Sequence, residues 1–98
     1  MIIKNTIISV DDFQIYSFES NLSETKGETL YGVREKGHIC MLGQPNFTSA
    51  LIFLTNKASE ARFWKKNAGK SFGSWNKFMT IQKKNYESVC NDIAKQLR

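Results

Sequence analysis

His38 and Cys40 stand two residues apart, a spacing that puts two side chains on one face of a strand. An imidazole beside a thiol could serve as a nucleophile–base pair or as two metal ligands. Neither arrangement is completed by the rest of the chain. His38 is the only histidine, and the other cysteine, Cys90, falls in a distant segment that reads as helix. The expected state is a packed thiol beside a partly exposed histidine, with both cysteines reduced, buried and unjoined, because an ordinary apolar content needs no disulfide. Asp11, Asp12, Glu19, Glu24, Glu28 and Glu35 could in principle supply the paired carboxylates of glycoside or phosphoester chemistry. Nearly all of them fall at turn or loop positions, where solvated acids are ordinary. Ala68-Gly69-Lys70-Ser71 resembles the end of a phosphate-binding loop, but the glycine required five residues before Gly69 is replaced by Trp64. The sequence therefore predicts a non-enzymatic protein, with no catalytic residues, no metal and no cofactor.

The strongest signal is physical rather than catalytic. Between Arg62 and Lys84 the chain carries Arg62, Lys65, Lys66, Lys70, Lys77, Lys83 and Lys84, interleaved with Phe63, Trp64, Phe72, Trp75 and Phe78, and no acid. The net charge of +5 is thus regional, made of +7 in this stretch, −2 over residues 1–61 and 0 over 85–98. Lysines with nearby aromatic rings can neutralise phosphates while the rings stack on bases. They can equally steer onto an acidic protein surface, where tryptophan and arginine anchor interfaces. In a short chain, large aromatic residues are also the natural material of the core, and that is the expected place for the two tryptophans.

Length and composition bound the frame around this segment. Ninety-eight residues, 41% apolar and 23% charged, allow one globular domain over 1–98. The N-terminal stretch has Lys4 and Asn5 among its apolar residues and no small-residue cleavage site, so it does not read as a secretory signal. The longest apolar run, Ala50 to Leu54, is five residues against the roughly 20 that span a bilayer. A cytoplasmic protein without membrane contact is expected.

Residues 2–10, rich in isoleucine, and Phe13 to Phe18 read as strands joined at Asp11-Asp12. Ser20 to Glu28 is a polar loop. Thr29 to Arg34 and His38 to Leu42 flank Glu35-Lys36-Gly37, the pattern of a second hairpin. Gly43 to Asn46 is a turn, and Phe47 to Thr55 reads as a further strand, although Phe47, Leu51 and Leu54 also fit a helix. A short helix near 58–68 would bury Ala58, Ala61, Trp64 and Ala68, end at Gly69 and expose Arg62, Lys65 and Lys66. Trp75 to Gln82 alternates like a strand. A C-terminal helix, capped by Asn85 or starting at Thr80, carries Tyr86, Val89, Cys90, Ile93 and Leu97 at helical spacing. The expected fold is α+β, a mainly antiparallel sheet with the C-terminal helix on one face.

The functional expectation is a small binding domain docking on an acidic protein surface, as an inhibitor, immunity or adaptor protein would. RNA or single-stranded DNA is the alternative partner, and an unrecognised enzyme is the further alternative. Arg62, Lys65, Lys66, Lys70, Trp75 and Lys77 are the binding residues for either partner, with the five cations in one continuous patch. The acidic first third and basic last third also make the chain dipolar, which allows self-association into a homo-oligomer.

Overall fold

The computed structural model describes residues 4–24, 26–67 and 73–97. Four strands come first, β1 (Lys4–Val10), β2 (Phe13–Glu19), β3 (Thr29–Glu35) and β4 (His38–Gln44), and two helices follow, α1 (Phe47–Asn67) and α2 (Trp75–Gln96). The strands form one sheet in the order β1-β2-β3-β4, each antiparallel to its neighbour. The chain is therefore a small α+β protein, as its sequence indicates. It forms two compact units, Met1–Leu54 and Thr55–Arg98, so that α1 begins in the first and ends in the second.

In the sheet unit, two-residue turns set the register. Asp11 takes a left-handed φ of 54° between the paired Val10 and Phe13. Lys36 and Gly37, at φ 50° and 85°, join Glu35 to His38, both in the left-handed region that matches strand twist. The two turns are tied together: the Lys36 amide donates to the Asp12 carbonyl at 3.0 Å, and Lys36 Nζ lies 3.8 Å from Asp12 Oδ2. With register fixed, strand alternation sorts the side chains. Ile8, Ile15 and Val33 face one another across three strands and are fully buried, beside Val10 and Phe13. The opposite face carries buried Tyr16 and Leu30 with half-buried Phe18.

That second face is shaped by two glycines. A β-carbon at Gly32 would lie 2.5 Å from Tyr16 Oη, and one at Gly43 would lie 2.5 Å from Phe18 Cζ, so both rings lie across backbone that has no side chain. Arg34 sits with its guanidinium carbon 5.5 Å from the Tyr16 ring centroid, and donates from Nε to Gln14 Oε1 and from Nη2 to Thr6 Oγ1, each at 2.7 Å. Burial pushes the Tyr16 phenol above its ordinary range; the Arg34 charge opposes this, and Cys40 adds to it.

Both outer strands are irregular. In β1 the register shifts between Thr6 and Ile8, leaving Ile7 as an extra residue against β2. In β4 it shifts twice, at Cys40 and at Leu42-Gly43.

Residues 47–55 are helical, which corrects the strand reading. Asn46 Oδ1 accepts from the Thr48 amide at 2.8 Å and so caps the first turn. The three- and four-residue spacing of Phe47, Leu51 and Leu54 then prevails over local β-propensity. Ala50 and Leu54 are fully buried, and Phe47 packs on Tyr31 with ring centroids 5.2 Å apart. Over residues 58–67 the short helix expected near 58–68 is the second half of this longer one, while Ala68 and Gly69 lie outside the described residues.

Residues 75–82 are also helical rather than extended. Ser74, itself extended at φ −155°, accepts at Oγ from the Lys77 amide at 3.2 Å and caps α2 eleven residues before Asn85. Asn85 is an interior residue, buried, with Nδ2 donating to the Ile81 carbonyl at 3.1 Å. Val89 and Ile93 are buried as expected, whereas Tyr86, Cys90 and Leu97 are exposed, because the inward stripe runs Phe78, Ile81, Asn85, Val89, Ile93. No helix among the described residues is long and apolar enough to cross a membrane.

Candidate binding groove

Within the helical unit, α1 and α2 meet where Phe63 abuts Phe78 edge-on, ring centroids 5.1 Å apart. Arg62 fixes their alignment on one flank: Nη1 donates to Ser88 Oγ at 2.9 Å and Nη2 to Asp92 Oδ2 at 2.7 Å. Buried polar side chains are satisfied along their own helices, Ser59 donating to the Thr55 carbonyl and Asn67 to the Phe63 carbonyl at 2.8 Å. These bonds let polar residues occupy the inward face.

On the other flank lies an open groove of about 800 Å³. From α1 it is lined by Asn56, Ser59, Glu60 and Trp64; from α2, by Asn76, Met79, Thr80, Gln82, Lys83 and Tyr86. Large apolar surface is left in solvent here, with Trp64 52% exposed, Met79 44% and Tyr86 45%. The remaining lining consists of amides and hydroxyls with one charge of each sign, Glu60 and Lys83. Exposed aromatic and thioether surface set among amides and hydroxyls is suited to receiving another molecule's apolar side chains.

Of the residues singled out from sequence, Arg62, Lys65, Lys66, Trp75 and Lys77 are described, and none of them is among the residues lining the groove. Arg62 is half-buried and held by Asp92 and Ser88. Lys65 and Lys66 are exposed; helical geometry turns Lys65 away from Asn56, Glu60 and Trp64, whereas Lys66 follows Ser59 by seven residues, on its stripe but beyond the residues that line the groove. Lys77 is exposed on the side of α2 away from Met79 and Tyr86, and Lys70 lies outside the described residues. Trp75, named as a binding residue although the core is the expected place for tryptophan, is 72% exposed, stacked on Phe78 at 5.4 Å between centroids and 23° between planes. Trp64 is exposed too, and so is Ala61, which leaves Ala58 and Phe63 on the buried face.

The groove residues themselves were missed, apart from Trp64 and Lys83, which belong to the basic-aromatic stretch. Met79 and Tyr86 are seven apart, two helical turns, and that spacing becomes readable only once residues 75–82 are known to be helix.

The remaining candidate chemistry stays dispersed. Cys40 is exposed rather than packed, its thiol 3.6 Å from the His38 carbonyl oxygen, and Cys90 is exposed as well; both are free, as expected. Among the described residues no three of the histidine, cysteine and acidic side chains gather as a metal site would require. Comparison with protein-family models, curated proteins and solved structures returns no match.

Proposed function

We propose that this chain is a small binding domain whose helical unit docks on an acidic protein partner. The observation that carries the reading is the exposure of Trp64, Met79 and Tyr86 around a concave groove nearly free of charge, while lysines occupy the surrounding surface. Interface centres are depleted of charge and enriched in aromatic residues and methionine, with a polar rim. Residues 55–98 carry a net +7, so the surrounding field draws in an acidic partner and the groove holds it. A polyanion backbone would need a track of cations, and among the described residues the groove lining contributes Lys83 alone.

The test is recovery of partners on tagged protein from nuclease-treated native cell extract, with wild type beside Tyr86→Ala. An acidic protein that survives nuclease and is lost with Tyr86→Ala supports the reading; retention that depends on nucleic acid overturns it. The second reading, RNA or single-stranded DNA, draws support from the open ring of Trp75. It requires that Trp75→Ala weaken oligonucleotide binding by about 1–3 kcal/mol while leaving the denaturant midpoint nearly unchanged.

A further inference from the structure

We infer that the segment received by the groove is an acidic amphipathic helix of the partner; this rests on the protein-docking reading above. The first argument concerns the backbone. The described residues that line the groove all belong to α-helices, whose interior N–H and C=O groups are already paired. An extended peptide would find no main-chain ladder there, whereas a helix arrives with its own backbone bonds made.

The second argument is spacing. On α2, Asn76, Met79, Thr80, Lys83 and Tyr86 recur every three or four residues, forming a continuous stripe about 15 Å long at 1.5 Å per residue. On α1, Asn56, Ser59, Glu60 and Trp64 repeat the pattern over about 12 Å. Stripes of about 12 and 15 Å match about two to three turns of a third helix at 5.4 Å per turn. Its apolar residues at i, i+3 or i+4 and i+7 would meet Trp64, Met79 and Tyr86.

The third argument is charge. The unit's +7 lies mostly outside the groove, which places the incoming helix's carboxylates on its flanks and its apolar stripe inward. The single acid of the lining, Glu60, selects against carboxylates on the inward face.

The experiment is selection of a random linear peptide library, about 18 residues long so that a bound helix can form, on wild-type protein with counter-selection on Tyr86→Ala. The expected winners are net negative and carry apolar residues at helical period. They gain helical circular dichroism on binding and bind Tyr86→Ala about tenfold more weakly. Acidic winners without that periodicity, or equal binding to Tyr86→Ala, would overturn the helix inference while leaving acidic docking standing. Winners without negative charge, or no enrichment at all, would overturn both. Tyr86 is exposed, so its removal leaves the fold intact, and matched urea melts of the two proteins verify this.

Discussion

A β-carbon at position 32 would meet the Tyr16 hydroxyl and ring at 2.5–3.0 Å, and that ring is buried and cannot swing clear. Gly32→Ala is therefore expected to lower the unfolding free energy by about 1–3 kcal/mol, the usual cost of overpacking, read as a lower urea midpoint at unchanged slope. Tyr16 itself links stability to alkaline pH. Its phenol is neutral when protonated, and burial raises its folded pKa above the unfolded value of 10.0. The resulting stability is fully present below pH 10 and is lost as pH rises through the folded pKa. Chemical denaturation from pH 8 upward should show wild type losing more stability than Tyr16→Phe; parallel curves would remove the phenol from the account.

At the scale of elements, α2 depends on how it begins. Ser74 Oγ accepts the Lys77 amide while the Ser74 carbonyl accepts that of Phe78, so Ser74→Ala strips the side-chain cap and should cost about 1 kcal/mol. Ser74→Gly should cost only a few tenths, and thermal melts of the pair separate capping from general disturbance. The same position shows what was hard to read in the sequence. Asp11-Asp12 and Lys36-Gly37 announced their hairpins because turn chemistry is local. The start of α2 was hidden because Trp75 to Gln82 alternates over a short window, and only the longer stripe from Phe78 to Ile93 reveals the helix. The strand reading of 47–55 failed likewise, since a β-branched and aromatic run outweighed the four-residue step from Phe47 to Leu51. The basic stretch was legible as composition. Its division into a paired Arg62, outward lysines and an exposed tryptophan depends on how two helices face each other, which spacing within one helix does not contain.

For the molecule as a whole, charge is divided between the units, −2 over residues 1–54 and +7 over 55–98. Lys65→Glu with Lys66→Glu takes the helical unit to +3. Because both side chains lie outside the groove, the pair should slow association with an acidic partner by about tenfold at low salt and leave dissociation nearly unchanged. Surface-immobilised partner at two ionic strengths measures this, and a change confined to dissociation would place the lysines in direct contact instead. The sheet unit has a different relation to its surroundings. With the register broken at Ile7 on one outer strand and at Cys40 and Leu42-Gly43 on the other, neither margin offers a straight run of unpaired amides and carbonyls. A strand arriving from outside finds its hydrogen-bond spacing interrupted within a few residues, so stacking of folded molecules edge to edge into fibrils is discouraged from both sides. Ile39 and Leu42 can thus remain in water on an outer strand without seeding aggregation of the native protein.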